Sequence, residues 1–96
     1  MKLVWLPRAV ADLQEARAYI AEHDARAARA VAQKVRTLVA RLKARPNMGR
    51  PTEIDDIRKI GVPGLPYLIP YRMRDSRIEI LRVFHTAQEQ PERWDE

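Results

Sequence analysis

The segment Tyr67–His85, YLIPYRMRDSRIEILRVFH, constrains the fold more than any other part of the sequence. On its first arm, every second residue is large and apolar, and such residues lie on one face of an extended chain. Polar turn residues follow at Arg74–Arg77, and a second arm begins with Ile78 and Ile80, which are β-branched. The pattern predicts a β-hairpin with a histidine just past its second strand.

Pro70 interrupts the first arm of this hairpin. Proline has no N–H group to donate to a strand ladder, so it is confined to edge strands and bulges. We therefore expect the arm to lie at an edge there or to carry a bulge. In a regular second strand, Arg82 would share a face with Ile78, Ile80 and Phe84.

Two helical patterns precede the hairpin. Pro7 is suited to a first helical turn and opens a helix predicted over residues 7–22. Leu6, Val10, Leu13, Arg17 and Ile20 fall on one stripe of this helix, which is predicted to face the core, with Ala9 and Ala16 beside it.

The second helix has the clearest 3.6-residue period in the sequence. Asp24 is its expected N-cap, and it is predicted to run to about residue 43 or 44, before Pro46. Its apolar positions are Ala28, Val31, Val35, Leu38, Val39 and Leu42.

Short apolar runs at Lys2–Trp5 and Ile57–Val62 are predicted strands. The resulting order predicts an α+β fold: an N-terminal strand, an antiparallel two-helix hairpin, then a three-stranded antiparallel meander, in one sheet with the helices on one face. The chain has 96 residues, which favours a single domain, 1–96, with residues 86–96 as a short C-terminal tail.

The charge distribution indicates an anionic partner. The formal net charge is +5, which favours binding to nucleic acid or to an acidic protein. Between Ala25 and Thr52 there is no acidic residue; the basic residues of this block are Arg26, Arg29, Lys34, Arg36, Arg41, Lys43, Arg45 and Arg50. On charge alone, a merely solvated helix face explains the block equally well.

Several classes of protein are excluded or disfavoured. The chain has no cysteine, so it has neither disulfides nor thiolate metal sites. Of its two histidines, His23 lies in the predicted turn between the helices, so we expect no histidine-based metal site and no cofactor. No apolar run approaches the roughly 20 residues of a membrane helix. We therefore expect a cytoplasmic protein without membrane contact.

The order of motifs along the chain resembles the RelE/ParE superfamily, the toxins of bacterial type II toxin–antitoxin modules. The residues that carry the resemblance are Trp5, Ala9, Asp12, Leu13, Tyr19-Ile20, Ala27-Ala28, Leu42, Pro46, Gly49-Arg50, the segment PYLIPYR at 66–72 and the segment IEILRVFH at 78–85. The resemblance implies a small curved sheet backed by a helical hairpin. It also implies a cognate antitoxin, acidic and partly disordered when free, in a hetero-oligomer with the toxin, and a role in plasmid stabilisation.

The superfamily has two mechanistic branches. RelE-like members are ribosome-dependent mRNA endoribonucleases, which need an acid or base for the 2′-hydroxyl and cations for the charged phosphorane. The candidate catalytic residue here is His85, with Arg72, Arg82 and Arg58 or Lys59 as cations. Leu68 stands where these nucleases often carry arginine, and Thr86 is not the aromatic that can accompany the histidine. The nuclease set is therefore incomplete, and any such enzyme would be metal-independent.

The segments PYLIPYR and ILRVFH look more like the ParE branch, whose members inhibit DNA gyrase and are not nucleases. A ParE-like gyrase inhibitor is thus the leading hypothesis, with the endoribonuclease as the alternative. A non-toxic, small basic nucleic-acid-binding domain is the third hypothesis. The candidate partner-binding residues are Arg29, Arg36, Arg50, Arg72, Arg82 and Trp94.

Purely structural roles are also possible for these candidate residues. His85 could simply close the last strand, and Arg72 and Arg82 could pair with Glu79 or another acidic neighbour. Tyr67 and Tyr71 are expected in the core or on the sheet surface more than as stacking platforms for RNA bases. Trp94 could anchor a partner or only dock the tail.

Overall fold

The computed structural model describes residues 1–87, which form two helices and six strands. In chain order these are β1 (Lys2–Trp5), α1 (Pro7–Ala21), α2 (Ala25–Arg41), β2 (Arg50–Pro51), β3 (Ile57–Gly61), β4 (Tyr67–Arg74), β5 (Arg77–Ile80) and β6 (Phe84–His85). The predicted α+β class is confirmed. Most of the predicted tail, including Trp94, lies outside the described residues.

The helix termini follow the local sequence. Pro7 occupies the first turn of α1, where its missing N–H costs no hydrogen bond. Asp24 caps α2, because its side chain accepts hydrogen bonds from the backbone N–H groups of Arg26 and Ala27 at 3.1 and 3.0 Å. The predicted cap is therefore confirmed.

The apolar stripe of α2 is confirmed, but that of α1 is displaced from its predicted position. In α2, Ala28, Ala32, Val35, Leu38 and Val39 are buried. In α1, Ala9 and Leu13 are buried and Ala16 packs against the core, whereas Val10 is 38% exposed. Small alanines thus form much of the buried face of α1, and the larger Val10 was a misleading marker of it.

The main core lies between the helices and one face of the sheet. From the helices it contains Leu13, Val35 and Val39, and from the sheet it contains Ile69, Tyr71, Ile78 and Ile80. A second, smaller cluster of Ile57, Leu81 and Phe84, with Leu6 and Ile54 packed against it, is separate from the helices. Because paired residues on neighbouring strands share a face, this second cluster marks the opposite side of the sheet.

The sheet order is β1-β5-β4-β3-β2, with β6 paired to β4 beyond the end of β5. The predicted antiparallel meander is formed by β3, β4 and β5. Strand β1 pairs with β5 in parallel, and β2 is a two-residue strand added at the far edge. These two pairings were not specified by the sequence pattern.

A bulge is present opposite Pro70, but its extra residue lies on the partner segment and not on the Pro70 arm as expected, and it splits the predicted last strand in two. Tyr71 pairs with Ile80, but Leu68 pairs with Phe84, so three steps on β4 oppose four steps on the other chain segment. The Leu81 N–H donates to the Pro70 carbonyl at 3.0 Å, and Pro70 has no N–H to donate in return. The extra residue shifts the register by one.

This shift reverses the facing of the residues beyond it. Phe84 packs with Leu81 in the smaller cluster, while Val83 belongs to the main core. The expectation that Phe84 shares a face with Ile78 and Ile80 is therefore wrong, because it assumed a regular strand.

Candidate functional site

His85 lies at the end of β6, on the same side of the sheet as α1. Its ring meets that of Tyr67 edge to face, with centroids 5.4 Å apart and an interplanar angle of 84°. Its Nδ1 accepts a hydrogen bond from the Ala87 backbone N–H at 3.1 Å. Both rings border a cleft of about 400 Å³ against α1; the lining residues are Asp12, Glu15, Ala16, Tyr19, Tyr67, Val83 and His85.

Asp12 binds the bulge from α1. Its Oδ2 accepts hydrogen bonds from Arg82 Nε at 2.7 Å and from the Val83 backbone N–H at 2.9 Å, and its Oδ1 accepts one from Arg82 Nη2 at 3.1 Å. One carboxylate thereby accepts a hydrogen bond from a backbone N–H that the bulge leaves unpaired. The same carboxylate neutralises the charge of the neighbouring guanidinium.

Arg82 is consequently held inside the fold. Its hydrogen bonds to Asp12, opposed by partial burial, raise the pKa of the guanidinium above its usual range. The guanidinium also lies 4.6 Å from the centroid of the Phe84 ring, within cation–π distance. Of the two roles weighed for Arg82, pairing with an acidic neighbour is the one the geometry displays.

Arg72 is held on the opposite face of the sheet. Its Nε and Nη2 donate to Glu79 Oε1 at 2.8 and 2.6 Å, and Arg77 Nη2 donates to Glu79 Oε2 at 3.0 Å. Glu79 is only 5% exposed. Since a buried carboxylate requires paired cations, Arg72 and Arg77 are the groups that pair with Glu79 within the sheet.

Arg58 and Tyr71 fasten the loop that follows α2. Arg58 Nη1 donates to the Gly49 carbonyl at 2.6 Å. The Tyr71 hydroxyl accepts from the Gly49 N–H at 2.8 Å and donates to the Pro46 carbonyl at 2.8 Å. Tyr71 is fully buried, so it is a core residue and cannot stack on a base.

The fold therefore divides the candidate nuclease residues among three places. His85 and Arg82 border α1, Arg58 holds the 46–49 loop, and Arg72 lies on the far face. Lys59 pairs with Pro70 in the β3–β4 register and so lies on the face of Arg72. The five residues do not converge on one cleft.

The acidic and aromatic contribution of α1 to the cleft was not predicted from the sequence. Asp12, Glu15, Ala16 and Tyr19 are spaced i, i+3, i+4 and i+7, so they follow one line along the helix surface. This spacing was visible in the sequence. The apolar periodicity of α1 contains no information about this polar line.

The eight basic residues of the block at 25–52 are all exposed, including the candidate partner-binding residues Arg29, Arg36 and Arg50. Among residues 1–87, no ion pair involves any of the eight. The same part of the chain contains no group of His, Asp and Glu side chains placed to hold a metal ion. Neither of its helices is long and apolar enough to cross a membrane.

Solved structures share this fold. The chromosomal ParDE toxin–antitoxin system of P. aeruginosa contains a chain that matches with a TM-score of 0.79 and 28% identity, over 88% of this chain and 95% of that one. The isolated E. coli RelE toxin matches with a TM-score of 0.69 over 93% of this chain and 87% of that one, and at 13% identity it shows the fold alone.

Sequence relatives extend over nearly the whole chain. The protein Y4kP of Sinorhizobium fredii, named as a toxin, is 39% identical over 91 residues, covering 95% of this chain and 94% of the relative. The toxin RelE2 of Caulobacter vibrioides is 33% identical over 87 residues, covering 91% and 97%. The sequence model of the ParE toxins of type II toxin–antitoxin systems, parDE, matches residues 3–90. The chain thus belongs to the ParE toxin family, within the RelE/ParE superfamily, and an antitoxin partner is implied by that membership.

Proposed function

We propose that this toxin acts by inhibiting DNA gyrase and does not cleave RNA. The observation that carries the proposal is the internal engagement of the arginines that a nuclease would need. Arg82 is bound to Asp12, Arg72 to Glu79 and Arg58 to the Gly49 carbonyl. A phosphorane needs cations aimed at it from one site, and withdrawing any of these three would break a bond that supports the fold.

The surface available to partners is the exposed basic block. Arg29, Arg36 and Arg50 extend from it into solvent, which supports their proposed role in attracting an acidic antitoxin that orders as it binds. Arg72 and Arg82 contribute to partner binding only through their exposed fractions, since their charges are already paired. Trp94 remains a proposed anchor in the segment beyond residue 87.

The proposal is tested by inducing the toxin in bacteria while DNA synthesis and translation are followed separately. We expect DNA synthesis to fall first, with cell filamentation, and the same course with His85→Ala. Prompt arrest of translation with cleaved transcripts, abolished by His85→Ala, would contradict it. If growth is unaffected, both toxic mechanisms are excluded and the non-toxic nucleic-acid-binding domain becomes the preferred account.

The second candidate function is the ribosome-dependent endoribonuclease. It is favoured by the 33% identity to the toxin RelE2 and by the position of His85 in a cleft beside Tyr67. On this account His85 would serve as acid or base, and Arg82 would be the nearest cation. Its weakness is that Arg72 and Lys59 lie on the other side of the sheet.

A further inference from the structure

We propose that the cleft between α1 and β6 binds an arginine or lysine side chain of the antitoxin, with Glu15 as the carboxylate that receives the charge. The proposal rests on an antitoxin partner, which family membership implies, and not on the identity of the toxin's target. It assigns a ligand chemistry to residues that the gyrase proposal leaves unused.

The charge of the cleft is carried by Glu15. Both oxygens of Asp12 are already bound to Arg82 and the Val83 N–H, so the Asp12 and Arg82 charges cancel. Glu15 is exposed, lies within electrostatic range of Arg82 and forms no ion pair within residues 1–87. Within residues 1–87, the cleft therefore has one carboxylate more than it has paired cations.

Two tyrosines line the same cleft as Glu15. Tyr67 is nearly buried, while Tyr19 is 69% exposed at the rim. Burial, with a contribution from the neighbouring Tyr19, raises the pKa of Tyr67, so its hydroxyl stays neutral near pH 7. Neutral phenol rings in the same cleft as a carboxylate favour a cation, because the ring face attracts positive charge within about 6 Å.

The size and setting of the cleft fit a side chain of a partner protein. Its volume of about 400 Å³ accommodates a guanidinium with its methylene stem, and the cleft is open to solvent on one side. The cleft is a negative site on a chain of net charge +5. The acidic groups of such a partner would be attracted to the basic block. One basic side chain of the same partner, bound in the negative cleft, would then fix its register on the toxin.

The binding is tested by nuclear magnetic resonance on the full chain, with N-acetyl-arginine methylamide as the probe and its uncharged citrulline analogue as the reference. We expect millimolar binding that shifts the ring signals of Tyr19, Tyr67 and His85. An exposed ion pair and a cation–π contact are each modest, so Glu15→Gln should weaken binding about three- to tenfold. Glu22→Gln, which removes an exposed carboxylate near the end of α1, should change nothing.

Equal shifts with the citrulline analogue, no shifts at all, or unchanged affinity in Glu15→Gln would each overturn the proposal. Glu15 is exposed, so the variant should fold, and its backbone spectrum verifies this directly. The titration contains neither gyrase nor ribosomes. Its failure would thus leave the target assignment standing, and an error in the target assignment would leave the titration result standing.

Discussion

At the scale of single residues, Asp12 links the first helix to the bulge of the sheet. It lies on α1, yet its three hydrogen bonds go to Arg82 and Val83, about 70 positions later in the chain. The bulge exposes a backbone donor, and the donor is satisfied only because a carboxylate reaches it from the helix. A buried donor left without a partner is costly. Asp12 supplies the acceptor and thereby joins the helix layer to the sheet.

Replacing Asp12 by alanine should lower the free energy of unfolding by about 2–4 kcal/mol, because both a partly buried guanidinium and a backbone N–H lose their acceptor. Urea denaturation followed by circular dichroism measures the change. Asp55→Ala removes an exposed loop carboxylate and should change stability by less than about 0.5 kcal/mol. Comparable stability of the two variants would contradict the role assigned to Asp12.

Tyr71→Phe tests the second residue that ties distant segments together. The Gly49 N–H and the Pro46 carbonyl lose their partner, and we expect a loss of about 1–3 kcal/mol at pH 7. Denaturation at neutral pH measures it. Retention of full stability would show that the hydroxyl is dispensable to the loop.

The same variant should alter the alkaline limb of the stability curve. Burial raises the pKa of Tyr71, partly offset by the Gly49 hydrogen bond and the Arg58 charge. A group with a raised folded-state pKa stabilises fully below its unfolded pKa, about 10 for tyrosine, and this contribution is lost as pH rises through the folded value. Stability should therefore fall less steeply above about pH 10 in Tyr71→Phe than in the wild type. Parallel curves would refute this.

At the scale of elements, the sequence predicted most of what is local. The period of α2, its Asp24 cap, the α+β order and the disturbance at Pro70 all follow from short-range rules and are confirmed. What the sequence did not predict is non-local. The parallel pairing of β1 with β5 and the bond from Asp12 to Arg82 join segments far apart in the chain, and periodicity contains no information about such partners.

The prediction of which side of the sheet the last strand's residues face was wrong for a specific reason. A bulge was expected from Pro70, but its position on the partner segment was not. A shift of one residue moves every later side chain to the opposite face. Phe84 therefore lies outside the main core, and His85 lies beside Tyr67 and α1. The predicted surroundings of His85 therefore depended on the position of the bulge, which local sequence rules do not determine.

The contact between the 46–49 loop and β4 can be tested with paired glycine variants. A Cβ at Gly49 would lie 2.7 Å from the Tyr71 ring and 2.8 Å from the Lys59 carbonyl, whereas a Cβ at Gly61 would meet nothing within 4 Å. Gly49→Ala should cost about 1–3 kcal/mol through overpacking. Gly61→Ala should be neutral or slightly stabilising. Thermal unfolding of both variants measures the difference, and similar melting temperatures would contradict the close approach.

At the scale of the whole molecule, charge is segregated by role. The pairs Asp12–Arg82 and Arg72–Glu79 are internal and support the fold. The basic residues of the 25–52 block are exposed, and none has an ion-pair partner within residues 1–87. Such an arrangement favours steering of an acidic partner more than it favours stability.

Reversing two of these charges, in Arg29→Glu with Arg36→Glu, should slow association with an acidic antitoxin about tenfold at low salt and by less at high salt, because screening weakens steering. Stopped-flow mixing at two ionic strengths measures the rates. The matched control reverses Lys2 and Arg74, two exposed charges outside the block. Equal rate losses for both pairs would indicate that only net charge matters.

Gyrase inhibition and RNA cleavage are best distinguished with purified components. The toxin is added to gyrase with relaxed plasmid and, separately, to translating ribosomes with a defined messenger RNA. We predict that supercoiling is inhibited while the messenger RNA remains intact, and that His85→Ala behaves like the wild type in both reactions. Cleavage of the messenger RNA without any effect on gyrase, lost in His85→Ala, would contradict the account.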